Sequence, residues 1–83
     1  MFQAKKFDPT KFGYTKKGHG FFKEILNDDV TEVHWITLFD KNQAQLYAYN
    51  KDDNQFEDIY NTQVRTFETA EELETFIKVF TRI

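Results

Sequence analysis

Cysteine and serine are both absent from this chain of 83 residues. Without cysteine there is no disulfide framework, no CxxC redox centre, no thiolate nucleophile and no Cys-ligated zinc, which argues against a small secreted disulfide scaffold. Without serine as well, neither a Ser–His–carboxylate nor a Cys–His nucleophile system can be assembled, and only Thr, Lys, Tyr, His and the carboxylates remain for covalent chemistry. The two histidines, His19 and His34, would need carboxylate co-ligands that no spacing marks, so no metal or cofactor site is expected. No segment approaches the roughly 20 apolar residues that cross a bilayer, and residues 1–8 hold no apolar run of the signal-peptide kind. The expectation is a cytoplasmic protein without a membrane partner. Nine lysines to two arginines, with much Phe, Asn, Asp and Ile, is the usage of AT-rich coding in a low-GC bacterium or phage.

Rings and charge are what the chain has in quantity. Ten Phe, four Tyr and one Trp can each bury about 150–250 Å², enough to build a core despite a mean hydropathy of −0.70. Such payload is needed, because a single domain of this size hides only about 60% of its unfolded surface. Charge is sorted along the length. Residues 1–24 set six lysines against Asp8 and Glu24, a balance of +4, whereas residues 25–83 set five basic against twelve acidic side chains, a balance of −7. A basic arm studded with Phe on an acidic body offers two surfaces, to separate partners or docked on one another.

Periodicity and turn chemistry predict one α+β domain over residues 1–83. Pro9 restricts Asp8, so the first dozen residues read as an irregular lead-in, and Lys16-Lys17-Gly18-His19-Gly20 reads as a turn. Residues 1–19 are therefore expected to form a loosely structured basic segment. Strands are predicted over 21–26, 32–39, 45–49 and 56–60, the last resuming over 64–67, with turns at Asn27-Asp28-Asp29, Asp40-Lys41-Asn42 and Asn50-Lys51-Asp52-Asp53-Asn54. Short connections make neighbours antiparallel, hence a small sheet of about four strands in meander order. Thr69-Ala70-Glu71-Glu72 is a capping box, and Ala70, Leu73, Phe76, Ile77 and Phe80 recur at helical spacing behind it, with Lys78 and Arg82 complementing the dipole at the far end. This predicts a C-terminal helix packed on one face of the sheet.

Alternation along Val33-His34-Trp35-Ile36-Thr37-Leu38-Phe39 puts Val33, Trp35 and Phe39 on one face and His34, Ile36 and Leu38 on the other, so neither face is polar. Residues 45–49 behave alike, with Leu46 and Ala48 opposite Tyr47 and Tyr49. One helix covers one face. The other needs the rings Phe2, Phe7, Phe12 and Tyr14 of the arm, a second copy of the chain, or a different partner. Trp35, Tyr47, Tyr49 and Phe39 are the candidate partner-binding residues, since Trp and Tyr bury large area while keeping a polar handle.

Other constellations are weaker. Lys16, Lys17 and Lys23 near Tyr14 could track single-stranded nucleic acid, but the RNA-recognition consensus is absent and the net charge is −3. Gly18-His19-Gly20 could approach an anion, yet lacks any phosphate-loop frame and is turn chemistry. Asn50-Lys51-Asp52-Asp53-Asn54 starts like a calcium loop and fails where Gln55 and Asn61 replace the required Gly and Glu. His34 is expected to be a satisfied or half-exposed side chain rather than a ligand. Glu57 and Asp58, adjacent on a strand, point apart, so no carboxylate pair is marked for acid–base work, and no enzyme is expected. The sequence thus predicts a non-catalytic protein-interaction or regulatory module, as a homodimer or with another protein. Alternatives are single-stranded nucleic-acid binding through the arm, or an acidic mimic that binds a nucleic-acid-binding protein.

Overall fold

The computed structural model describes residues 2–51 and 58–81. Six strands make one antiparallel sheet: β1 Thr15–Lys17, β2 Gly20–Asn27, β3 Val30–Leu38, β4 Gln43–Asn50, β5 Asp58–Asn61 and β6 Arg65–Thr66. Their order is β1-β2-β3-β4-β5, and β6 pairs with β4. A single helix, α1 Ala70–Thr81, follows, so the small α+β architecture with a C-terminal helix holds. Phe56, Glu57, Arg82 and most of the Asn50–Asn54 connector lie outside the described residues.

Turn chemistry explains the meander. Asp28 and Asp29, at φ 51° and 67°, form a two-residue loop with both residues left-handed, the type I′ pattern whose twist suits a hairpin. Gly18, at φ 60°, reverses the chain between Lys17 and Gly20. That reversal lets Thr15–Lys17 join the sheet as an edge strand, although its three exposed residues show no apolar alternation. The fourth strand breaks and resumes as expected, as β5 and then a shorter β6 of Arg65 and Thr66 alone. Between β5 and β6 the Thr62 N–H donates to the Leu46 carbonyl at 2.9 Å, while the Thr62 hydroxyl accepts from the Leu46 N–H at 2.9 Å in place of a backbone carbonyl.

The core lies on one side of the sheet, where Ile36, Leu38, Ala44 and Leu46 meet Leu73 and Ile77 of α1, with Phe67, Ala4 and Tyr14 in the same cluster. The helix is held at its start as the sequence indicated. Thr69 Oγ accepts from the Glu72 N–H at 3.2 Å, while the Glu72 carboxylate accepts from the Glu68 N–H at 2.9 Å, one residue before the expected Thr69.

The arm is ordered by two short 3-10 helices, Ala4–Lys6 and Pro9–Phe12, rather than irregular throughout. The Ala4 N–H donates to the Lys41 carbonyl at 2.8 Å, and Phe7 and Phe12 stack with centroids 6.0 Å apart. Phe2, Phe7, Phe12 and Tyr14 do not cross to the second sheet face: they pack beside α1 on the core side. Length gives the reason. Twelve helical residues span about 18 Å, so α1 leaves part of the apolar face of β3 and β4 uncovered, and the arm fills that part. Among the described residues, no helix is long and apolar enough to cross a membrane.

Candidate functional site: an aromatic sheet face

The face opposite α1 and the arm is built by register. Phe22 pairs with Trp35, Trp35 with Tyr47 and Tyr47 with Asn61, so successive strands set three rings side by side. Tyr49, two residues along β4, lies on the same side with its ring 5.5 Å from that of Tyr47. The Phe22 and Trp35 rings are 5.4 Å apart and tilted by 37°. Gly20 seats the indole: a Cβ there would stand 3.3 Å from both Trp35 Cε3 and the Ile36 carbonyl oxygen. Lys17 extends over Phe22 with Nζ 5.8 Å from the ring centroid, a cation–π contact at the margin.

Beside the rings lies a shallow recess of about 370 Å³ lined by Trp35, Thr37, Gln45, Tyr47 and Asn61. Gln45 Nε2 donates to Asn61 Oδ1 at 3.2 Å and to the Thr62 carbonyl at 2.9 Å, which fixes the polar side of the recess. No lining residue is charged. Trp35, Tyr47 and Tyr49 are therefore brought together. Phe39 falls just past the end of β3, where its N–H donates to the Gln43 carbonyl at 2.9 Å, and it does not line the recess. Phe22, Gln45 and Asn61 were not among the residues the sequence singled out. The signal for Phe22 was its place in an alternating strand, but only the pairing register shows that it meets Trp35.

On the core side, His34 is 2% exposed and both ring nitrogens are engaged. Nε2 lies 2.9 Å from Glu32 Oε1 and Nδ1 lies 2.8 Å from Tyr60 Oη. The carboxylate can only accept, so Nε2 carries a proton, and in the neutral ring Nδ1 accepts from the tyrosine. Ala48 stands between His34 and Tyr60 in the register, and its small side chain lets the two meet across β4. Burial first, and then the Glu32 charge, push the Tyr60 hydroxyl well above the ordinary tyrosine range, which keeps it a donor. Of the two expectations for His34, satisfied or half-exposed, the structure shows the first. Among the described residues, no group of three or more His, Asp or Glu side chains is placed to hold a metal ion.

The alternative nucleic-acid set is divided. Lys16 and Lys17 are exposed on β1, but Tyr14 is only 3% exposed and Lys23 donates to the Phe12 carbonyl at 2.8 Å while lying over the Tyr14 ring. A stacking ring and three free lysines do not share one surface. His19 of Gly18-His19-Gly20 is exposed in the β1–β2 turn. Comparison with protein-family models, with curated proteins and with solved structures finds no match for this chain.

Proposed function

We propose that this chain is a small non-catalytic interaction module whose binding surface is the Phe22, Trp35, Tyr47 and Tyr49 face, with a protein as partner. One observation carries the reading: α1 and the basic arm pack together on the opposite side of the sheet, leaving four rings and an uncharged recess on this one. Aromatic rings with amide and hydroxyl neighbours suit the centre of a protein interface, where charge is depleted and Trp and Tyr concentrate. Phosphate tracking fits less well. Of the four residues considered for it, the structure leaves only Lys16 and Lys17 exposed.

Affinity capture from the native cell, read by mass spectrometry, tests the reading. Wild type and a Val79→Ala control, altered at an exposed helix position, should recover the same partner, and Trp35→Ala should lose it. If Trp35→Ala and Tyr47→Ala recover what wild type recovers, the face is not the binding surface.

A further inference from the structure

We infer that the occupant of this face is a second copy of the chain, joined through a two-fold axis that runs across the strands along the Phe22, Trp35 and Tyr47 row. The inference rests on the reading above and names the partner. An axis so placed keeps each strand over its own counterpart and reverses its direction, which is the isologous arrangement of a symmetric dimer. Rows on either side of the axis then exchange. The row Glu24, Val33 and Tyr49 on one copy falls on the row Gly20, Thr37 and Gln45 of the other.

That exchange is complementary in shape. The Gln45 row holds the recess of about 370 Å³, and the Val33 row carries the Tyr49 ring, so each copy seats its Tyr49 in the recess of the other. The lining amides of Gln45 and Asn61 meet the phenol at its polar end. It is complementary in charge as well. Eleven basic and fourteen acidic residues occur in the chain, yet the charged side chains described on this face are Lys17, Glu24 and Lys51, with Glu24 and Lys51 already paired at 3.0 Å. Two copies of a −3 chain can approach here without strong repulsion, and the axis brings Lys17 beside Glu24 of the other copy.

Area sets the strength. The five strands, 3, 8, 9, 8 and 4 residues long, at roughly 3.4 Å per residue and about 4.8 Å apart present roughly 500 Å² per copy, so about 1,000 Å² in the pair. That only reaches the ~1,000 Å² expected of a specific contact and sits well below the ~1,600 Å² standard, so the dimer should be a weak one that dissociates on dilution. Two sheets packed face to face about 10 Å apart enclose the rings of both copies.

Sedimentation equilibrium of the full chain tests this, with far-UV circular dichroism confirming that each variant is folded. Wild type should reach a dimer as concentration rises, Tyr49→Ala should weaken it at least tenfold, and Thr37→Glu, which places a carboxylate in the recess, should leave monomer. Lys17→Glu and Glu24→Lys should each weaken self-association, and mixing the two variants should restore pairing, because every inter-copy contact then joins opposite charges. A monomer up to about 1 mM, or a dimer indifferent to Tyr49→Ala and Thr37→Glu, would overturn the inference. A monomer whose partner capture still depends on Trp35 overturns the second copy alone, whereas capture indifferent to Trp35 overturns the reading of the face as well.

Discussion

His34 and Tyr14 show opposite ways of burying a polar atom. His34 has a partner on each ring nitrogen, whereas Tyr14 Oη is buried without a hydrogen-bond partner among the described residues. Tyr60→Phe strands His34 Nδ1 and should cost about 1–3 kcal/mol, read as a fall in thermal midpoint. Tyr14→Phe removes a hydroxyl that gains nothing from its site, so its midpoint should hold or rise. Both tyrosines are raised mainly by burial, with Tyr60 adding to the shift of Tyr14 and Glu32 to that of Tyr60. A raised folded value means that their stabilising contribution is complete below the ordinary tyrosine value of about 10 and is lost as pH climbs past it. A phenolate absorbance titration should therefore show two tyrosines ionising late, together with alkaline unfolding. Alternation made His34 legible as a neighbour of Ile36 and Leu38. Its partner was not legible, because Tyr60 reaches it across Ala48 only in the register of three strands.

At the scale of elements, local chemistry was the best guide where it closed on itself. The Thr69 cap adjoins α1 and the spacing of Leu73, Phe76, Ile77 and Phe80 is contained within it, and the helix forms there. Thr69→Ala should cost about 1 kcal/mol in denaturant unfolding, with an unchanged m-value. Elements that depend on a distant partner escaped the sequence. Thr15-Lys16-Lys17 carries no strand pattern and becomes β1 because β2 offers its edge. The break between β5 and β6 was legible, but the Thr62 contact with Leu46 that bridges it was not. The same limit applied to the site: Trp35, Tyr47 and Tyr49 were visible by alternation, whereas the recess between β3, β4 and β5 needed all three strands.

At the scale of the molecule, the sorted charge turns out to accompany a docked arm. The Lys5–Asp40 pair at 2.9 Å joins arm to body, but both side chains are exposed and solvent screens the attraction. Burial holds the arm more firmly, since Ala4 and Pro9 are inaccessible and Phe2, Phe7 and Phe12 pack against the core. Deleting residues 1–13 should therefore expose apolar surface, seen as binding of a hydrophobic dye and loss of a sharp melt. An unchanged melt would mean that the arm is a passenger. With the arm committed to the helix side, the opposite face is the one proposed above for a partner, and the exchange of its rows is the ground for proposing a second copy. Trp35 is the only tryptophan, and it lies on the proposed axis. Acrylamide quenching of its fluorescence across a dilution series is the most direct measurement: Trp35 should be shielded in concentrated protein and become accessible on dilution, and quenching that does not change with concentration would contradict the account.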